Sequence, residues 1–144
     1  MEAKMLAPAA VLVLWSLIMM LWMTQSRFAA FSKKGISLKG VPPGGRGESL
    51  NGVLPDNVMW KSHNFSHLME QPTVFYPAVI ILAMMGAGAT DVALAWGYVG
   101  FRILHSLWQA TVNTIPVRFA LFLGATICLV ALAVHAVMLT LHSV

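Results

Sequence analysis

Apolar residues dominate four stretches of this chain: Met5 to Phe28, Asn64 to the Gly86-Ala-Gly88-Ala89 run, Asp91 to Val112, and Ile115 to about Leu141. A hydrocarbon core of about 30 Å takes roughly 20 apolar residues in a helix, so each stretch predicts one membrane span. The first has Lys4 ahead of an apolar core, as a signal peptide does. The run is too long for that, and no small-residue cleavage site follows, which predicts a retained helix. Spans two and three are separated by few residues and predict an antiparallel hairpin. Pro72, in the first turns of span two, removes a backbone donor and predicts a kink, and Pro77 offers a second. Pro116 suits the first turn of span four, with Asn113 or Thr114 ahead of it as a cap. Between spans one and two lies a polar segment, residues 29–62, with the breakers Pro42-Pro43-Gly44-Gly45-Arg46-Gly47 and turn signals at Asn51-Gly52 and Leu54-Pro55-Asp56. It predicts one long loop within a single four-span domain; such a loop is either functional or disordered.

The third span breaks the apolar pattern. Arg102, His105, Gln109 and Asn113 follow at intervals of three, four and four, so on a helix they share one face, with Tyr98 and Ser106 beside them. An arginine at mid-span costs roughly 2.5–3.5 kcal/mol on insertion scales, so it must face protein or a wet cavity, and it marks a functional site by default. In span two, His63, His67 and Glu70 share a face by the same rule. The hairpin brings the two stripes to overlapping depth, with Glu70 opposite Arg102 as its neutralising partner.

Composition agrees with a membrane protein. The chain has 144 residues, 58% hydrophobic and only 10% charged, with a mean hydropathy of +0.76. Soluble domains carry about 25% charged residues, and a soluble protein this apolar would expose aggregating patches. The net charge of +4 is not a nucleic-acid signal, because the basic residues lie beside apolar segments, as topology signals do. Lys33, Lys34, Lys39, Arg46, Lys61 and Arg118 collect on one side, which the positive-inside rule places in the cytoplasm with both chain ends outside. The single Cys128 forms no internal disulfide and reads as a packing or lipid-facing residue. Spans without further charges argue against a transporter.

Three groups of residues together resemble the MAPEG family, the membrane-associated proteins of eicosanoid and glutathione metabolism, and its bacterial members of unassigned function in particular. Asn64-Phe-Ser-His67-Leu-Met-Glu70-Gln-Pro72 resembles that family's span-two signature. Arg102-Ile-Leu-His105 followed by Pro116-Val-Arg118 resembles the span-three to span-four signature of microsomal prostaglandin E synthase. Arg27, ending span one, resembles the family's arginine there. The resemblance implies an all-α integral membrane four-helix bundle assembled as a homotrimer. It also implies glutathione bound between subunits in the cytoplasmic half of a bacterial inner-membrane protein. By position, Arg27, His67, Glu70, Arg102, His105, Gln109 and Asn113 would bind the cofactor, and Arg118 would be the catalytic arginine that stabilises its thiolate.

The residue chemistry is consistent with those roles. A cation and a helix N-terminus both lower a thiol's pKa. Arginines grip carboxylates bidentately. Two positions depart from the eicosanoid enzymes: Gln109 stands where they carry tyrosine, and Phe119 where they often carry a polar residue. A glutamine hydrogen-bonds but does not act as a phenolic acid. Three function classes follow. The first is a thiol-dependent transferase or peroxidase acting on lipophilic small molecules. The second is a non-catalytic scaffold or a subunit of a larger complex, in which Glu70 with Arg102 and His67 with His105 only lock helices, Arg118 anchors the chain at the membrane surface, and the lone His135 is structural. The third is a haem or metal protein using His63, His67 and His105.

Overall fold

The computed structural model describes residues 2–39 and 41–143 and contains helices and no strand among them. Five α-helices follow in order: α1 (Glu2–Lys34), α2 (Asp56–Leu68), α3 (Pro72–Met85), α4 (Ala89–Thr111) and α5 (Ile115–His142), with a short 3-10 turn at Gly47–Leu50. α2 and α3 form one interrupted rod, so the molecule is a bundle of four. α1 packs on α2, α3 and α4, and α5 packs on α4 and α3.

Helix α1 outruns the expected Phe28 boundary by almost two turns. Ala30 is buried against Leu54 and Met59, with Phe31 and Ile36 beside them, so local packing extends the helix beyond its apolar stretch. Lys33 and Lys34 suit its C-terminal dipole. Gly35, at φ +63°, then ends it in the left-handed region. Helix α2 begins eight residues before the expected Asn64, with Asp56 in the first turn where a carboxylate is favourable. Leu54-Pro55-Asp56 is thus a helix start, and the connection narrows to residues 35–55. Ile36, Leu50 and Leu54 anchor that connection to the cluster with Ala30 and Met59, while residues 37–39 and 41–46 are exposed.

The expected kink at Pro72 is a full interruption. α2 stops at Leu68, Met69–Gln71 form a turn, and Pro72 opens α3. A proline there has no N–H to offer the Leu68 carbonyl, so the helical ladder lapses for a turn. At the far end Gly86 takes φ +94° and closes α3 onto the Leu82 carbonyl, with Ala87 N donating to the same oxygen at 2.9 Å. Asn113, expected as a cap, is instead the left-handed residue (φ 58°) that stops α4, its N–H reaching the Trp108 carbonyl at 2.7 Å. Thr114 occupies the cap position of α5, but its hydroxyl accepts from Trp108 Nε1 at 2.9 Å.

Inward faces follow helical periodicity. On α1, Met5, Pro8, Leu12, Ser16 and Met19 are buried; on α4, Asp91, Ala95, Tyr98, Arg102, His105 and Gln109 are. Leu68, Phe75, Val79, Leu82, Leu129 and Leu132 fill the centre, where the Phe75 and Tyr98 rings stack at 4.2 Å. Outward faces are equally apolar: Leu14, Leu21, Met84, Ile127, Val130 and Val137 are all exposed. A helix apolar on all sides belongs in lipid. α1, the Asp56–Met85 rod and α5 are each long and apolar enough to cross a membrane. α4 is long enough, at 23 residues, but its buried polar face lowers its mean hydropathy.

The α3–α4 hairpin is closed by Asp91. Its carboxylate is buried; Oδ2 accepts from Gly88 N–H at 2.8 Å, and Oδ1 pairs with His135 Nδ1 of α5 at 2.6 Å. His135, read as a lone structural residue, thus has a partner. Hydrogen bonds to charged groups contribute about 1.5–3 kcal/mol each. Asp91→Ala is expected to destabilise the protein by at least that amount in chemical denaturation. Asp91→Asn, which still accepts from Gly88, should lose less; equal losses would mean that the helix cap contributes nothing.

Candidate functional site

The polar residues of α2 and α4 meet at the basic end of the bundle, as the hairpin geometry predicts. Their contacts differ from the expected pairing. Arg102 is fully buried, and its Nη2 donates to the main-chain carbonyl of His67 at 2.9 Å, with Nη1 3.5 Å from His67 Nε2. Glu70 does not reach Arg102. It is mostly exposed and pairs with His67 Nδ1 at 2.7 Å. His67 therefore stands between the two charges. The cause is local: α2 ends one residue beyond His67, so the His67 carbonyl is free of a full helical bond. Glu70 N approaches it only at 3.4 Å.

Beneath His67 lie the rings of His105, at 4.9 Å between centroids, and Phe122, at 5.5 Å. The two histidine rings lie too close for a haem plane between them. Among the described residues, no group of three or more His, Cys, Asp or Glu is placed to hold a metal ion.

Above this layer a cleft of about 690 Å³ opens between the end of α1, the 46–51 turn, α2 and the α4–α5 junction. Of the sequence candidates, Arg27, His67, Glu70, Gln109 and Arg118 line it, while Arg102 and His105 lie buried behind its wall. Asn113 is not in the lining; it holds Arg118, whose Nη1 donates to Asn113 Oδ1 at 2.6 Å. His63 is at the rim, with Nε2 3.1 Å from Asn51 Oδ1. Gln109 presents a buried amide oxygen with no partner, and Tyr98 Oη and Ser106 Oγ deeper on the same face are also unpartnered.

Arg46, Glu48, Ser62 and Ser66 also line the cleft. Sequence reading missed them as site residues because a breaker-rich loop gives no periodicity from which to tell where it lands. Ser62 had a usable signal: it falls one helical turn from Ser66 on the His63–Glu70 helix. Arg27 donates from α1 to the Ser62 hydroxyl of α2, beside the 46–51 turn. The backbone of Gly47 lies directly over that guanidinium. A Cβ at this position would stand 2.5 Å from Arg27 Nη2 and 3.2 Å from Cζ, so only glycine fits without moving the arginine.

A second, smaller pocket of about 200 Å³ lies beside the cleft, lined by His67, His105, Ile115, Arg118, Phe119 and Phe122. Phe119, one of the two departures from the eicosanoid pattern, forms part of its aromatic wall. His67 and Arg118 line both spaces. The arrangement offers three guanidiniums and two carboxylates on the polar side, and an apolar recess across Arg118.

Arg102 and Glu70 should differ sharply as mutants. Glu70→Gln changes an exposed side chain and should move stability by no more than about 0.5 kcal/mol. Arg102→Met removes the guanidinium bond to the His67 carbonyl, leaving it the 3.4 Å contact from Glu70 N, and should cost roughly 1–3 kcal/mol. In a double-mutant cycle read by thermal denaturation the two should be nearly additive; strong coupling would restore a direct Glu70–Arg102 pair.

The MAPEG family model matches residues 5–138, nearly the whole chain, and the chain belongs to that family. No curated protein and no solved structure matches it.

Proposed function

We propose, from membership of the MAPEG family, that this integral membrane protein is a transferase or peroxidase. It would use glutathione or a related small thiol against lipophilic electrophiles. The observation that carries this reading is the position of Arg118, shared between a charged cleft and an aromatic recess. The cleft suits a tripeptide with two carboxylates and one ammonium. Arg27 and Arg46 match the former, since guanidinium–carboxylate forks are the strong charge-assisted pairs, and Glu70 or Glu48 matches the latter. Gln109, with its unpartnered amide oxygen, would accept a hydrogen bond from the ligand.

Arg118 does the chemical work. It lies in the first turn of α5, where its fixed cation and the helix dipole both favour a thiolate over a thiol. The bound thiol supplies the nucleophile. The recess formed by Phe119, Phe122 and Ile115 would hold the apolar body of the electrophile within reach. With glutamine at position 109 there is no phenolic proton donor for a leaving group, so a slow transferase is expected.

A second reading, a non-catalytic subunit or scaffold, draws on the same arginine. Arg118 is bonded to Asn113 at 2.6 Å, across the turn between α4 and α5, and in that role it would serve only to fasten the two helices.

The two readings part on one measurement. Under the enzyme reading, glutathione added to the purified protein gives an ultraviolet thiolate absorbance. Arg118→Ala abolishes that absorbance while weakening binding only several-fold, and Arg27→Ala weakens binding more. Absence of both binding and thiolate signal at millimolar glutathione would leave the scaffold.

We further infer a homotrimer of four-span subunits in a bacterial inner membrane. Its basic end, with residues 35–55, would face the cytoplasm and both termini the periplasm. Cysteines placed at Gly45 and Ala89 should label from opposite sides, and the detergent-solubilised particle should have three times the chain mass. Labelling of both from the periplasm would reverse the topology, and a monomeric mass would remove the trimer.

A further inference from the structure

On the opposite side of the α1–α2 pair from the cleft lies a separate groove of about 430 Å³. It shares no lining residue with the cleft. Its polar lining is Lys33, Lys34, Lys61, Ser26 and Asn57, with no carboxylate, over a floor of small side chains that includes Ala29 and Ala30. Two of the ammoniums are fixed by the main chain. Lys34 Nζ donates to the Val53 carbonyl at 2.5 Å, and Lys61 Nζ donates to the Asn57 carbonyl at 2.9 Å. Lys61 also stands 5.0 Å over the centre of the Trp22 ring.

The depth of this groove follows from α1. Between Met5 and Arg27 the helix carries no charge. Twenty-odd residues at about 1.5 Å each cover a hydrocarbon core of about 30 Å. Ser26 to Lys34 therefore lie at headgroup level, and Trp22, one turn inward, lies at the boundary where indole rings concentrate. Below it the exposed face of α1 is continuous apolar surface, with Leu14, Leu17, Ile18 and Leu21.

We infer that this groove is a binding site for the phosphate headgroup of an anionic phospholipid, whose acyl chains would lie along the outer face of α1. Three ammoniums around small side chains and two neutral hydrogen-bonding groups complement a phosphodiester, and basic pockets between helices at a membrane surface bind such headgroups. The lipid also has a structural consequence. Ser26 and Lys61 are next in sequence to Arg27 and Ser62, the pair that closes the cleft wall. A headgroup bridging α1 and α2 from outside would hold that pair together on the inside.

Native mass spectrometry of the full chain released from detergent tests this, with phosphatidylglycerol, phosphatidylcholine and inorganic phosphate added separately. The expected result is one phosphatidylglycerol retained per chain, with no retention of phosphatidylcholine and no displacement by millimolar phosphate. Lys33→Gln with Lys61→Gln should reduce retention at least tenfold, and Lys33→Arg with Lys61→Arg should keep it. Lys39→Gln, outside the groove, should leave it unchanged. Equal retention of phosphatidylcholine would overturn the site, as would unchanged retention in the glutamine pair. An equal loss with Lys39→Gln would show only diffuse attraction to an acidic surface and would overturn it too.

Discussion

A fully buried arginine sets the architecture of this protein. Arg102 sits in a bundle whose outer surface is apolar, and among the described residues no carboxylate lies within ion-pair distance of it. An unmet buried donor costs more than the bond it would have made, and while Nε of Arg102 has no partner, its terminal nitrogens are met. The partner is backbone: the His67 carbonyl, at 2.9 Å. That carbonyl lies in the last turn of α2, which stops one residue later; with the ladder broken ahead of Pro72, the Gln71 N–H that a continued helix would give this oxygen makes no bond to it. The break between α2 and α3 thus leaves the His67 oxygen open to the arginine. The same interruption turns His67 and Glu70 toward the cleft.

The rest of the site is arranged around this join. His67 contacts Arg102 through its main chain and Glu70 through its ring, and its ring caps a layer of His105 and Phe122. On the other wall Arg118 is steadied by Asn113, which is itself the left-handed residue ending α4. Both walls therefore take their geometry from places where a helix is broken. Interruptions of this kind in a membrane protein are tolerated where they are covered by protein or line a cavity, and here they line the cleft. The third wall, from the 46–51 turn, lies with Gly47 against the guanidinium of Arg27, which itself joins α1 to Ser62 of α2.

Much of this was legible in the sequence because helical periodicity is regular. Arg102, His105 and Gln109 fall on one face whatever surrounds them, and the structure places all three on the buried side of α4. The hairpin and the resemblance of Arg102-x-x-His105 and Pro116-x-Arg118 to the MAPEG pattern were likewise readable, and the family match over residues 5–138 agrees. The illegible parts depend on contacts that no period encodes. Charge alone made Glu70 and Arg102 partners; the main-chain carbonyl that takes Glu70's place has no side-chain signature. The landing place of Arg46 and Glu48 is decided by the small Leu54 and Met59 cluster under the loop, and Asp91, which the sequence offers only as the start of span three, is a buried cap paired with His135.

The central claim, that the break at Pro72 frees the carbonyl which holds Arg102 and so shapes the cleft, is tested most directly by arginine side-chain hydrogen exchange, followed by nitrogen-15 NMR in the wild type and in Pro72→Ala. The account predicts that the Arg102 guanidinium protons exchange slowly in the wild type, while those of the cleft arginines Arg46 and Arg118 exchange fast. It also predicts that Pro72→Ala speeds the exchange of Arg102, as the helix re-forms and the Gln71 N–H competes for the His67 carbonyl. Fast exchange of Arg102 in the wild type, or unchanged protection in Pro72→Ala, would contradict it.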